Sequence, residues 1–412
     1  MKNIISVVMF GTEAKNCNTD EIRSVRTYGN AEEDKFDFKI YDDTTNLYEK
    51  LNENRGFDVI VTIGNIEEFP ELMAAPFEIR KRWAAYNTLE DFMANAANVI
   101  LSVFRYNINR VNNIDPLFSF FTSAYKTQKE DALRLYNSLT AQTYTNWNWW
   151  ILDDSPEGTE SYFNEINDCR ITIIKNKTNH GNIGFNKHMI AMCCNGDYLV
   201  EVDHDDEVTP DCLETLKKAF TTYPDCDFAY SYCLEIVDGK PVYYDEGFSL
   251  GLGRYIDTTV NGIEYKRVAT TPDMNVLSMR HIVSMPNHVR CWKKDFYHRI
   301  GGHNIEISIM DDGDLLIRTF LNGKCCKIPK VLYIQNEGVS SKGSRSTTLQ
   351  SSRAKEIWRM GTILKREYDK KIHDFAIERG LADPYWDEKT GSSDIFKGPL
   401  EGLVNLNYVL EV

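Results

Sequence analysis

LVEVDHDDEVTP, residues 199–210, sets four carboxylates within five positions directly behind an alternating apolar run. Carboxylates this close repel one another and raise each other's pKa unless a cation or a hydrogen-bond network compensates them. A solvated acidic turn is the plain explanation of such a cluster, so its meaning depends on what flanks it. From Pro116 the chain alternates strand-like and helix-like stretches. LFSFFTSAY (117–125) reads as a buried strand, and KEDALRLYNSLTAQ (129–142) as an amphipathic helix with Leu133, Tyr136 and Leu139 on one face. NWNWWILDD (146–154), CRITIIKN (169–176) and DYLVEV (197–202) are further strands, and FNKHMIAMCC (185–194) has the length and spacing of a crossing helix. Such alternation implies an α/β fold with a mostly parallel sheet covered on both faces. Ligands in these sheets bind beyond the carboxyl ends of the strands. Two of the expected strands end in acid, at Asp153–Asp154 and at Asp203 to Asp206.

Composition narrows the function classes. The 412 residues carry 47 basic and 61 acidic side chains, a net charge of −14, with no run of basic residues longer than the RKR that precedes Trp83. That argues against a nucleic-acid or anionic-membrane surface. The N-terminal MKNIISVVMFGTEAK is too short for a signal sequence or a membrane span and reads as a first strand, so the expectation is a cytoplasmic protein without an integral membrane segment. Ten cysteines include two adjacent pairs but no C-x-x-C spacing. They are expected to be reduced core residues rather than zinc ligands or disulfides.

Three regions follow. Residues 1–113 form a small α/β unit: IISVVMF (4–10) and FDVIVTIG (57–64) flank the helical TTNLYEKLNENRG (44–56), and a helical stretch over about 78–106 closes it. No glycine-rich phosphate fingerprint follows either strand. The polar NRVNNIDP (109–116) marks the boundary to residues 114–344. Residues 345–412 open with a long helical pattern of mixed charge (353–380), expected to serve packing or self-association as a homo-oligomer.

Taken in order, PLFSFFTSAYK (116–126), SLTAQTYTNWNWWILDDSPEGT (138–159), NHGNIGFNKHMIAMCCNGDYLVEVDHDDEVTP (179–210), FYHRIGGHN (296–304) and MDDGDLLIRTFLNGK (310–324) closely resemble the nucleotide-sugar-dependent glycosyltransferases of family 2. The resemblance covers roughly 116–340 and implies a GT-A, Rossmann-like sheet. Asp203-x-Asp205 matches the family's DXD motif, which implies that these two carboxylates hold Mn²⁺ or Mg²⁺ against the donor diphosphate, since a diphosphate and a carboxylate do not associate unaided. Ser123, Tyr125, Asp153, Asp154, Lys187 and Asp203 fall at donor-contacting positions. Asp153 and Asp154 also fit a capped turn, because DDSPEGT carries turn chemistry throughout. Lys187 stands within N-K-H where the family has A-R-N. Asp312 matches the general base, with Asp311 in place of the usual Glu.

Several residues keep two readings. A calcium loop would need glycine at the sixth position, where this chain has Val208. Asp206 is either a further metal ligand or a support for the ligands. Asp314 and Arg318, at i,i+4, read as a structural pair. Asn336 replaces a histidine that family members carry, leaving metal coordination less complete or supplied from elsewhere, His303 being one candidate. The resemblance implies inverting transfer of sugar from a nucleoside-diphosphate donor, uridine being the commonest nucleoside, to a glycan or other hydroxyl acceptor. The competing readings are a non-catalytic relative that binds nucleotide sugar or glycan, and a metal-dependent phosphoryl or nucleotidyl enzyme.

Overall fold

The computed structural model describes residues 4–23, 35–53, 57–80, 82–93, 96–97, 99–100, 103–104, 116–166, 168, 170–176, 178–337, 353–395, 398 and 406–412. They group into two compact units, one of residues 1–126, 146–180 and 189–199, the other of 127–145, 181–188 and 200–412. Residues 109–115 of the expected boundary lie outside the described residues, as does GVSS (338–341).

The first unit holds two sets of parallel strands. In one, the spatial order is Lys35–Tyr41, Ile4–Phe10, Val59–Ile63, Trp83–Tyr86, so the order reverses at the first strand, as in a doubly wound sheet. The stretch expected to be helical over 78–106 contains Trp83–Tyr86 as a strand, paired in parallel with Val59–Ile63. Its four residues are all buried, and four apolar residues are too few for spacing to separate strand from helix. In the other set, Phe118–Ala124, Trp147–Asp153 and Ile171–Lys175 run parallel in register. The tryptophan-rich strand is fixed by Trp149, whose Nε1 donates to Thr122 Oγ1 at 2.9 Å while its ring meets Phe163 edge-on.

The second unit is built around the long strand Phe228–Val237. It pairs in parallel with Cys325–Glu337 and antiparallel with Arg290–Lys293, so the parallel pattern is broken here. Glu207–Val208 adds antiparallel to residues 333–334, and Tyr408–Val409 adds in parallel to 326–327, giving the tail beyond Gly380 a sheet-edge role. The helix Lys129–Thr140 buries Ala132, Leu135 and Leu139, whereas Leu133 and Tyr136 are only half-buried, a correction of the expected face. Helix Ala354–Glu378 packs through Leu364, Tyr368, Ile372 and Phe375. Arg280 anchors it, with Nε 2.9 Å from Asp369 and Nη2 2.8 Å from Asp383. Nine described cysteines are free, and eight of them are buried. Among the described residues, no helix is long and apolar enough to cross a membrane.

Candidate active site

In the second unit, residues 183–188, the start of the helix Ile183–Cys193, lie beside the start of helix Asp311–Asn322. Asn182 caps the first of these by accepting from Phe185 N at 3.0 Å, and its amide donates to Ile305 O at 2.8 Å. Gly184 makes the approach possible: a Cβ there would stand 2.5 Å from Ile307 O and 2.9 Å from Asp311 Cβ. One turn further on, Lys187 reaches into a buried cluster of acids and bases.

Glu201 is the hub of that cluster. The Lys187 ammonium lies 2.5 Å from Glu201 Oε1 and 3.2 Å from Asp203 Oδ1. Arg290 Nη1 lies 3.6 Å from Glu201 Oε2, and the imidazoles of His288 and His303 each come within 3.7 Å of Oε1. Burial alone would lower the Lys187 pKa, but Asp203, Glu201, Asp311 and Asp312 more than offset it and hold the ammonium well above its ordinary value. Burial likewise works to raise Glu201 and Asp203; Lys187 pulls Glu201 well below the usual carboxylate range, and Lys187 with His288 brings Asp203 down to about 2. Both acids are therefore ionised near neutrality.

Asp311 and Asp312 occupy the first turn of their helix, where the backbone N–H groups favour negative charge. They sit in different surroundings. Asp312 Oδ1 accepts from Ser284 Oγ and from Gly313 N, both at 2.8 Å, and its Oδ2 accepts from Arg290 Nη2 at 3.1 Å. Burial opposes ionisation of Asp312, but Arg290 and Lys187 keep its pKa below the ordinary value. Burial dominates at Asp311 and raises it, with His303 Nε2 3.7 Å from Oδ2. The Asp312 side chain is 22% exposed and that of Asp311 8%, so Asp312 is the more accessible of the two. Asp314 and Arg318 form the expected structural pair, with Arg318 Nε 2.9 Å from Asp314 Oδ2 and Tyr368 OH donating to Oδ1.

The acidic run resolves into distinct jobs. Asp206 is buried, accepting from Tyr333 OH at 2.8 Å and Asn336 N at 2.9 Å. Burial, then the charges of Asp205 and Asp203, push its pKa well up. Asn336 also donates to Glu207, so it braces the acidic run. His204 meets Thr127 through Nδ1 at 3.1 Å, away from the acids that flank it. Arg134 donates to the main-chain oxygen of Asp205. Among the described residues, the group with ligand atoms close enough to share one cation is Glu201, Asp203 and His288, all within 4.8 Å of one another. Asp205 is not part of it. The nearer imidazole is that of His288, 3.8 Å from Asp203 Oδ2, whereas His303 faces Asp311. Glu201 and His288 were not singled out from sequence; a glutamate between Val200 and Val202 inside a buried run was the available signal.

In the first unit, Asp153 is saturated by its own turn. It accepts from Ser155 N, Ser161 N, Ser161 Oγ and Asn164 Nδ2 at 2.9–3.1 Å, and from Ser155 Oγ. Asp154 accepts from Asn176 Nδ2 at 2.8 Å and His180 N at 2.9 Å. Ser123 lies in the strand opposite Leu152, and Tyr125 follows that strand with Lys126 Nζ 5.2 Å from its ring centroid.

Comparison with known proteins adds an independent line. Residues 119–260 match the model of glycosyl transferase family 2. A putative colanic acid biosynthesis glycosyl transferase, WcaA of Escherichia coli (strain K12), is 36% identical over 102 residues, 24% of this chain and 36% of that protein. An uncharacterized glycosyltransferase of Haemophilus influenzae is 25% identical over 202 residues, 49% of this chain and 61% of its own length. The chain thus spans less than two thirds of either relative. Among solved structures, S. aureus TarS 1–349 in complex with UDP-GlcNAc is similar at TM-score 0.44 and 15% identity, over 63% of this chain and 71% of that one. The similarity to glycosyl transferase family 2 is thus carried by residues 119–260.

Proposed function

We propose that the protein transfers a sugar from a nucleoside-diphosphate donor to a hydroxyl acceptor with inversion, using Asp312 as general base. The observation that carries this reading is the buried cluster at Glu201, which joins the Asp203 carboxylate, the Lys187 ammonium and the paired acids at 311–312 within one unit of a chain whose residues 119–260 match family 2. Asp203, held ionised, is suited to the donor end. Asp312, ionised and partly accessible, is suited to take the acceptor's proton as the new bond forms. Lys187 places a fixed positive charge where negative charge grows on the departing diphosphate. Asp154 is the donor contact we favour at the other acidic strand end, since Asp153 is consumed by its turn.

Glu201, Asp203 and His288 fit a divalent cation. Their donor set is oxygen and imidazole, and both Glu201 Oε2 and His288 Nε2 are buried without a hydrogen-bond partner. A bound Mn²⁺ or Mg²⁺ would supply Lewis-acid stabilisation of the leaving diphosphate. Uridine is the nucleoside we propose, from the family resemblance. Calorimetry with uridine diphosphate tests the donor site: binding should be seen with Mn²⁺ and be lost when EDTA strips the cation. Undiminished affinity in EDTA would remove the cation from the account.

A further inference from the structure

A groove of about 260 Å³ opens beside Asp312, between residues 279–285, the start of helix Asp311–Asn322 and the first half of helix Ala354–Glu378. Its lining is mainly apolar, from Ile282, Met285, Met310, Ile317, Trp358 and Leu364. Two further lining residues, Ser284 and Gly313, are the ones whose Oγ and N donate to Asp312 Oδ1. The groove wall and the positioning of that carboxylate are therefore one structure. Glycines keep the space open: a Cβ on Gly313 would come 3.4 Å from Met310 Cε, and one on Gly361 3.7 Å from the same atom. At the rim, Trp358 is 77% exposed, the most exposed of the large apolar side chains. The exposed indole carries the apolar lining of the groove out to its rim.

The chemistry of the lining selects the occupant. Among the described residues no carboxylate lines the groove; Arg280 is paired with Asp369 and Asp383, and Lys365 donates to Ser393 O at 3.2 Å. Burial, and then the neighbouring charges of Lys365 and Arg280, lower His281 to about 4, so it is neutral at pH 7. A cationic group would be desolvated there without a partner, whereas an apolar one loses nothing. We propose that the groove is the subsite for an apolar, non-reacting part of the acceptor, an alkyl or aryl group joined to the sugar whose hydroxyl faces Asp312. This rests on the reading of Asp312 as the base, because two residues of the groove wall, Ser284 and Gly313, hold that carboxylate.

The full chain, titrated with methyl and n-octyl β-D-glucopyranoside below the micelle-forming concentration, tests the inference, with uridine diphosphate binding followed in parallel. Each methylene buried is expected to tighten binding about fourfold, so three buried methylenes predict about a sixtyfold preference for the octyl compound. Gly361→Phe, which fills the groove, should abolish the preference, and Trp358→Ala, at an exposed site with little folding cost, should reduce it; both should still bind nucleotide. Equal binding of the two glycosides, or an octyl preference untouched by both substitutions, would overturn the subsite. Loss of methyl glucoside binding in Trp358→Ala would also overturn it, by showing that the indole receives the sugar ring itself. Failure of the wild type to bind uridine diphosphate would sink the donor reading and the acceptor role with it, whereas failure in the glycoside arm alone sinks only the groove.

Discussion

Asp312→Asn should bind metal and donor nearly as wild type does, while sugar transfer falls by about 10²–10⁴, the usual contribution of a positioned general base. Asparagine keeps the shape and can still accept from Ser284 and Gly313, but it cannot take the acceptor's proton. The competing view is that Asp311 and Asp312 only complement the helix terminus and pair with Arg290. On that view the substitution costs some stability and leaves turnover close to wild type. Measuring nucleotide affinity, transfer rate and melting temperature on the same preparation separates the two. Transfer within a few-fold of wild type would move the base to Asp311, whose pKa burial raises toward a more basic carboxylate.

Glu201→Ala is expected to be the most destabilising single change in the cluster. Glu201 is fully buried, and its removal takes from the Lys187 ammonium the nearer of its two ion-pair partners and takes one carboxylate away from Arg290. Breaking a buried ion pair from one side costs about 3–5 kcal/mol, because the remaining charge is left without its partner. Denaturant unfolding should show that loss, and Glu201→Ala combined with Lys187→Met should recover much of it, since that cation is then gone. A loss below about 1 kcal/mol, within the range of an exposed ion pair, would mean that the hub is hydrated and that its charges do not depend on one another.

Much of this was legible beforehand, for physical reasons that can be named. The strands at 4–10, 118–124, 147–153 and 171–175 announced themselves as β-branched or aromatic runs bounded by turn residues. Lys35–Tyr41 carries a weaker signal because its apolar residues alternate with charges, Phe36, Phe38 and Ile40 against Lys35, Asp37 and Lys39, as expected of an edge strand. Trp83–Tyr86 was absorbed into a helical reading because one short apolar run fits either period. For the site, Asp203, Lys187 and the acids at 311–312 were visible as motif positions, and the structure gathers them around Glu201. Glu201 and His288 were invisible because nothing local links residues 201 and 288. The strand Arg290–Lys293, antiparallel to Phe228–Val237, is what places His288 and Arg290 near the acids. Asp205 shows the converse: a motif match named it as a metal ligand, while the geometry groups Asp203 with Glu201 and His288.

The most direct test of the central claim is donor consumption. The full chain should be incubated with a panel of nucleotide sugars and Mn²⁺, with released nucleotide identified by chromatography. The account predicts that at least one nucleotide sugar yields nucleoside diphosphate and free or transferred sugar, that EDTA stops the release, and that Asp203→Asn does the same. Release of nucleoside monophosphate instead, or no binding and no consumption of any nucleotide sugar by the folded wild type, would contradict it.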